Sequence, residues 1–241
     1  MAAILSAHAE KQKQTKEFLQ DIISDVSHQI KTPLSALRMY QEIIESHKDD
    51  PAIVSSFTEK SQREIKRMED VIYTLLKLAR LDAGIIQMEI THENISTLMQ
   101  DILERFETWA EREHKTITMS GEENATLNCD ALWVSEAIGN IVKNALEHTD
   151  EGGHIAVNWN QTLLMTQIEV SDDGKGIHPE DLYNIFKRFY RSRFSSDVHG
   201  IGLGLPLAKS IVEAHGGTIS VTSTLNAGTT FTLNFFNLTN E

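Results

Sequence analysis

Apolar residues recur at steps of three, four or seven through Phe18, Ile22, Val26, Ile30, Pro33, Leu37 and Ile44, the pattern of a helix with one buried face. The spacing predicts a long amphipathic helix over residues 8–46. A second is predicted over 52–81, with Val54, Phe57, Ser61, Ile65, Met68, Ile72, Leu75 and Ala79 on one face. Lys48-Asp49-Asp50-Pro51 is the turn between them, and Pro51 suits the first helical position, where an N–H would go unpaired anyway. Two stripes this long cannot both be hidden in a lone hairpin. Pairing with a second copy into a four-helix bundle is the economical solution; packing against the C-terminal half of the same chain is the alternative.

Asp82-Ala83-Gly84 ends the second helix and marks a hinge, because glycine past a helix end takes the left-handed conformation that stops it. Beyond it the periodicity is mixed. Strands are expected over 86–90, 116–119, 125–128, 155–159 and 164–170, and helices over 96–113, with Leu98, Ile102, Phe106 and Trp109 inward, and over 131–148, with Asp130 as N-cap. A polar, glycine-containing region follows, then a helix over 205–215 closed by Gly216-Gly217, and a terminal hairpin of 218–224 with 229–235. The fold class is α+β: a helical hairpin over 1–83 that forms a dimeric four-helix bundle, then an α/β sandwich over 84–241 with its helices on one face.

The chain of 241 residues is 40% hydrophobic with few prolines and glycines, enough for a sizeable core. No apolar run reaches the ~18 to 20 residues of a membrane span, and the first residues lack the charged and apolar regions expected of a signal peptide. As given it is expected to be soluble and cytoplasmic. A formal charge of −13 argues against nucleic acid or an anionic membrane surface as main partner. The single cysteine, Cys129, excludes an internal disulfide and has no assigned role.

Chemistry enters at His28. A helix turns roughly 100° per residue, so His28 lies roughly 160° from both Val26 and Ile30 and points to solvent, sharing its face with Thr32. Pro33 leaves the Gln29 carbonyl without its helical donor, so the helix can bend just past the histidine. Alone, an exposed helical histidine is most simply a solvated side chain. However, Ser27-His28-Gln29-Ile30-Lys31-Thr32-Pro33-Leu34 closely resembles the phosphoacceptor box of the sensor histidine kinases of bacterial two-component systems, and companion motifs follow in the family's order. The resemblance implies that His28 receives the phosphoryl group. It further implies that the residue at Gln29, most often Glu or Asp in the family, assists His28, and that Thr32 orients a water in the reverse, dephosphorylating activity.

Between 131 and 148, Val134, Ile138, Ile141 and Ala145 form one stripe, while Glu136, Asn140, Asn144 and His148 fall at steps of four on another. Two amides one turn apart can present oxygens to a phosphate-bound Mg²⁺, or can simply be solvated. Asn140-Ile141-Val142-Lys143-Asn144-Ala145 resembles the family's N box, which implies Asn144 as the Mg²⁺ ligand, Asn140 and Lys143 on the phosphate side, and His148 near the nucleotide. Glu147 departs from the Lys often found there. Asp172-Asp173-Gly174-Lys175-Gly176-Ile177, directly after a strand, resembles the first glycine box, whose Asp172 counterpart selects adenine and whose Gly174, Gly176 and Ile177 counterparts lie against it. A lone motif of this kind is also a common turn.

Ile185-Phe186-Lys187-Arg188-Phe189-Tyr190-Arg191 resembles the phenylalanine box, with Lys187 replacing the usual acid. Phe186 is implied as a nucleotide-side residue, and Arg188, Arg191 and Arg193 as cations for the phosphates or as solvated arginines. Gly200-Ile201-Gly202-Leu203-Gly204-Leu205-Pro206 resembles the second glycine box and opens a helix whose N-terminal amides suit an anion. Gly200, Gly202, Leu203 and Gly204 are its expected contacts, and Thr230 on the last strand is a further implied contact. The run 191–199 lacks periodicity and is expected to be a lid over the nucleotide.

The resemblance implies a sandwich of the gyrase, histidine kinase and MutL type. The function it implies is a homodimeric, ATP- and Mg²⁺-dependent autokinase that passes its phosphoryl group to an aspartate on the receiver domain of a response regulator. Family members usually carry membrane-spanning sensor segments upstream, so the whole protein is expected in the cell membrane with this part in the cytoplasm. Two rivals stay open. One is a conformational ATPase of the same nucleotide fold, although such proteins carry a Glu general base where this chain has Asn140. The other is a degenerate kinase acting as a dimeric scaffold, in keeping with Gln29, Glu147 and Lys187.

Overall fold

The computed structural model describes residues 2–192 and 200–237, and in the first helix the side chains from Ile23 onward, Asp25 excepted. The chain divides into two compact units, one reaching to Tyr73 and the other beginning at Thr74.

The first unit is a hairpin of α1 (Ala2–Ser46) and the greater part of α2 (Pro51–Asp82). α1 begins six residues earlier than the periodicity predicts. The Asp50 carboxylate caps α2 by accepting the N–H groups of Ala52 (3.0 Å) and Ile53 (3.2 Å), so the Asp50-Pro51 pair starts the helix. Tyr40 on α1 and Phe57 on α2 stack with centroids 5.4 Å apart, and Lys60 covers the Phe57 ring. The predicted stripe of α2 splits in two. Val54, Phe57, Ser61 and Met68 are half-buried, whereas Ile65 and Ile72 are each 46% exposed and Ala79 is exposed, because a single partner helix covers only one side of a broad apolar face. Leu34 and Met39 of α1 are also exposed. Beside them, a groove of about 650 Å³ is lined by Leu34, Leu37, Arg38, Gln41, Ile44 and Ser61.

The second unit takes in the last turns of α2, followed by β1 (Thr91–Asn94), α3 (Ile95–Arg112), β2 (Thr116–Gly121), β3 (Thr126–Cys129), α4 (Ala131–His148), β4 (His154–Gln161), β5 (Met165–Asp172), α5 (Gly204–Ala214), β6 (Thr218–Thr224) and β7 (Gly228–Phe236). A five-stranded sheet has the order β2-β4-β5-β7-β6, antiparallel except for the β2–β4 pair. Burial alternates along β4, β5 and β7, as period-two side-chain placement requires. Ile155, Val157, Ile168, Val170, Phe231 and Leu233 are buried with Ile102 of α3, Ile138, Ile141 and Val142 of α4, and Leu207 and Ile211 of α5. The opposite face carries Thr118, Asn158, Glu169, Thr232 and Ser220, so the three helices lie on one side of the sheet.

Residues 86–90 do not form the expected strand. The partner ladder on β3 is taken instead by β1, whose last residue, Asn94, accepts the Thr97 N–H and caps α3. Ile90 is left exposed. Asp130 caps α4 through Leu132 and Trp133 as expected. It also accepts the Glu89 N–H at 3.0 Å and donates its own N–H to His215 Nε2 at 3.1 Å, tying the preceding segment and the end of α5 to one carboxylate-bearing turn. At the other end of α4, the almost fully buried Lys115 ammonium donates to the Leu146 carbonyl (2.7 Å) and to Glu113 (2.6 Å). The Lys115 bond, with a second from the Trp109 indole, holds the Glu113 carboxyl below the usual carboxylate range. Cys129 is fully buried, and burial pushes its thiol up to about 12, leaving it unreactive.

Candidate functional site

On α1, His28 is exposed, as the phase of the stripe requires, and Thr32 is exposed with it. Gln29 is half-buried and Pro33 is buried. α1 runs unbroken through Pro33. Around the lost amide, side chains serve the backbone carbonyls: the Thr32 hydroxyl donates to His28 O (3.3 Å) and the Ser35 hydroxyl to Lys31 O (2.9 Å). The imidazole is therefore displayed to solvent on a continuous helical surface.

In the second unit, α4 presents the amide face. Asn140 and Asn144 are both half-buried. The Asn140 amide donates to Glu136 O (2.9 Å), and this orients its Oδ1 toward Gly204, where an added Cβ would lie 3.0 Å from that oxygen. The amide motif and the second glycine run, 60 residues apart in sequence, therefore meet at the start of α5. Leu203 takes the N-cap position of α5 and its side chain caps none of the first-turn N–H groups, those of Gly204 and Leu205, at the end of the helix that favours an anion; Pro206 has no N–H. Lys143 lies 3.8 Å from Glu147, the residue that departs from the family's Lys. Its positive charge is thereby partly offset.

Asp172 sits at the carboxyl end of β5, half-buried in a pocket of about 200 Å³ lined by Thr222, Ser223, Thr224, Ala227, Gly228, Thr229 and Thr230. Burial raises its carboxyl above the ordinary carboxylate range, against the pull of N–H groups from Gly174 and Thr229 and the nearby His148. Its Oδ1 accepts the Gly174 N–H at 3.0 Å, which leaves carboxylate lone pairs for an exocyclic amine. The first glycine run is clamped to the β6–β7 turn. The Ile177 N–H donates to Ser223 Oγ (2.8 Å), and the Asn226 N–H donates to Lys175 O (2.7 Å). Gly176, at φ +66°, approaches so closely that an added Cβ would lie 2.1 Å from Thr224 O. His148 contributes its backbone, accepting the Lys175 N–H at 3.1 Å.

Of this pocket, only Asp172 and Thr230 are among the contacts expected from the sequence. Thr222, Ser223, Gly228 and Thr229 are not. The available signal was the Asn226-Ala227-Gly228 turn, whose outer residues both need positive φ (+59° and +97°), set between two threonine-rich strands.

The segment between the glycine runs is tied to both the sheet and the last turn of α2. Phe186 packs edge-on against the core residue Phe231 of β7 at 6.3 Å, with Lys209 over its ring. The Phe189 N–H donates to Gly202 O (2.8 Å), joining the phenylalanine run to the second glycine run, and Gly200 is half-exposed beside it. Arg188, expected at the phosphates, is engaged by the carboxylate of Asp82. Arg191 is exposed. Arg193 and lid residues 193–199 lie outside the described residues. Among the described residues no cluster of three or more His, Cys, Asp or Glu forms a metal site, and no helix is long and apolar enough to cross a membrane. An amide-and-phosphate environment for a hard cation needs no such cluster.

Comparison with known proteins matches both halves. Residues 18–84 match the His Kinase A (phospho-acceptor) domain, and residues 129–240 match the histidine kinase-, DNA gyrase B-, and HSP90-like ATPase family. The sensor histidine kinase WalK of Bacillus subtilis is 31% identical over 96% of this chain, which covers 39% of WalK. The sensor protein kinase PmrB of Pseudomonas aeruginosa is 32% identical over 83% of the chain, covering 42% of PmrB. The chain thus spans about two fifths of the length of these relatives. Among solved structures, histidine kinase ThkA in complex with response regulator protein TrrA superposes with a TM-score of 0.78 at 21% identity, covering 95% of this chain and 65% of that one, a likeness of fold. With its phosphoacceptor helix and its ATPase fold on one polypeptide, the chain belongs to the sensor histidine kinases of two-component systems.

Proposed function

We propose that the chain binds Mg²⁺-ATP in its second unit, autophosphorylates His28 and passes the phosphoryl group to an aspartate on a response-regulator receiver domain. The observation that supports this is that both glycine runs meet α4, Gly204 at Asn140 and Lys175 through its N–H to the His148 carbonyl. Asn140 abuts Gly204 at the uncapped start of α5, and Asp172 sits in a polar pocket closed by the β6–β7 turn. The same chain displays an exposed His28. In this reading Asp172 accepts the adenine amine, the first-turn amides of α5 receive phosphate, and Asn144 and Asn140 offer amide oxygens on the phosphate side. Asn144 would hold Mg²⁺, which neutralises phosphate charge when bound. Phosphoryl transfer asks the protein mainly for positioning and charge neutralisation. The imidazole attacks through one nitrogen while Gln29, an amide that cannot take up a proton, orients the ring.

The exposed Ile65, Ile72, Leu34 and Met39 and the groove beside them support a homodimer in which a second hairpin covers this face. ThkA, solved with its response regulator, supports a receiver domain as phosphoryl acceptor. In the same reading Thr32, exposed one turn from His28, would orient water in the reverse reaction on the regulator. The conformational ATPase is disfavoured by Asn140, whose amide is already bonded to the α4 backbone and cannot serve as general base.

Incubation with γ-labelled ATP and Mg²⁺ tests the proposal. Acid-labile, base-stable label is expected on the wild type and none on His28→Ala, with nucleotide affinity unchanged. Undiminished acid-labile label on the variant would refute the assignment of His28.

A further inference from the structure

The last turns of α2 carry two charges that are answered within the second unit. Lys77 Nζ lies 2.9 Å from Glu136 Oε1 on α4, and Asp82, the final residue of the helix, accepts a hydrogen bond from the Arg188 guanidinium. The pairs are crossed in sign. α2 offers a cation and, five residues on, an anion; the ATP-binding fold offers an anion and then a cation. Such a pattern accepts the helix end in one register. The Asp82 backbone is also held firmly. Gly84 at φ +61° closes the helix, its N–H donating to Leu81 O (3.0 Å) and that of Ile85 to Arg80 O (3.2 Å), which is the paired bonding of a Schellman stop.

The two pairs differ in exposure. Lys77 and Glu136 are 40% and 37% exposed, whereas the Arg188 side chain is only 16% exposed beside Asp82 at 39%. The second pair is therefore less screened by water and salt. Both pairs also reach the nucleotide motifs: Glu136 provides the carbonyl that orients the Asn140 amide, and Arg188 belongs to the segment bonded to Gly202 through Phe189.

We propose that Asp82 is a positioning residue that withholds Arg188 from the nucleotide phosphates, its carboxylate taking the place a phosphate oxygen takes once ATP is bound. This rests on the reading of Arg188 as a phosphate-side cation. Guanidinium forms bidentate pairs with carboxylate and with phosphate, so the two anions compete for the same fork of donors. While paired, the charge of Arg188 is neutralised. ATP then binds in proportion to the fraction of molecules in which Arg188 is released, and its apparent affinity is lowered by that fraction. Nucleotide binding and release of the end of α2 become reciprocally linked. Adenosine, lacking phosphates, is indifferent to the pair.

The test is calorimetric titration of the whole chain with Mg²⁺-ATP and with adenosine, for wild type, Asp82→Asn, Asp82→Glu, Arg188→Gln and the double variant Asp82→Asn/Arg188→Gln. Asp82→Asn is expected to tighten ATP binding about two- to fivefold, from the strength of a partly exposed ion pair, and to leave adenosine unchanged. Asp82→Glu should restore wild-type affinity. In the Arg188→Gln background the gain should vanish, which separates release of Arg188 from a general loss of repulsion between Asp82 and ATP. ATP affinity that is unchanged or weaker in Asp82→Asn, or adenosine tightened as much as ATP, overturns the proposal. The two levels of failure are distinguishable. If Arg188→Gln weakens ATP binding but Asp82→Asn does nothing, the withholding role alone is wrong; if Arg188→Gln binds ATP as the wild type does, the phosphate role of Arg188 is wrong.

Discussion

Gly228 is the residue on which the geometry of the pocket around Asp172 depends most directly. It opens β7 at φ +97°, and a Cβ placed there would lie 1.9 Å from the Asp172 carbonyl oxygen, 2.9 Å from the Asp172 carbonyl carbon and 3.0 Å from Asp173 Cα. Ordinary carbon contacts sit at roughly 3.5–4.0 Å, so Gly228→Ala must part β5 and β7 by more than an ångström at the Asp172 end of the pair. Those contacts are backbone and cannot swing aside. Two costs add: about 1–2 kcal/mol for holding a Cβ at positive φ, and about 1–3 kcal/mol for overpacking a closed site. The expected loss is therefore about 2–5 kcal/mol. Gly84→Ala is the internal control. Gly84 has φ +61° but nothing within 4 Å of its added Cβ, so it carries only the first cost, about 1–2 kcal/mol. Urea unfolding midpoints at unchanged slope give both values. Because Asp172 is paired in register with Thr229, the residue after Gly228, ATP affinity should fall with Gly228→Ala and stay at the wild-type value with Gly84→Ala. If Gly228→Ala lost no more stability than Gly84→Ala and bound ATP normally, the close approach of the two strands would not shape the pocket, and the reasoning would be refuted.

Asp172 carries a pH signature. Burial raises its folded pKa, so the neutral acid is the form the nucleotide-free fold favours; the stability this contributes is present below the ordinary carboxylate pKa and lost as pH rises through the raised value. Unfolding measured against pH should show that decline in wild type and lack it in Asp172→Asn, while in the proposed binding mode ATP affinity of the wild type falls on acidification through the same window, because there the adenine amine needs the ionised acceptor. Identical pH profiles for the two proteins would contradict this. Lys115→Met keeps the aliphatic stem but deprives the Leu146 carbonyl and Glu113 of their ammonium donor, with an expected loss of about 1–3 kcal/mol in urea unfolding. A loss within measurement error would mean that water replaces the ammonium without penalty.

The sequence by itself determined the helices and the order of motifs. Amphipathic periodicity depends only on which residues share a face, so the exposure of His28 and the buried stripe of Val134, Ile138, Ile141 and Ala145 were legible without a partner in view, as was α4 to its end residues. Capping chemistry was equally local: Asp130 and Gly84 act on groups within a few residues of themselves. What only the tertiary structure decided depends on groups distant in the chain. Residues 86–90 look strand-like, but the free edge of β3 paired with residues 91–94, and a ladder partner, unlike a periodicity, is not written in the segment that lacks it. Ile65 and Ile72 carry the same apolar signal as Val54 and Phe57, yet burial depends on what covers them. The pocket wall of Thr222, Ser223, Gly228 and Thr229 became visible only when the β6–β7 turn closed on the first glycine run about 50 residues away. The fate of Arg188 was likewise settled by a contact. A guanidinium suits phosphate and carboxylate alike, and it was the fold that put Asp82, 106 residues back along the chain, within its reach.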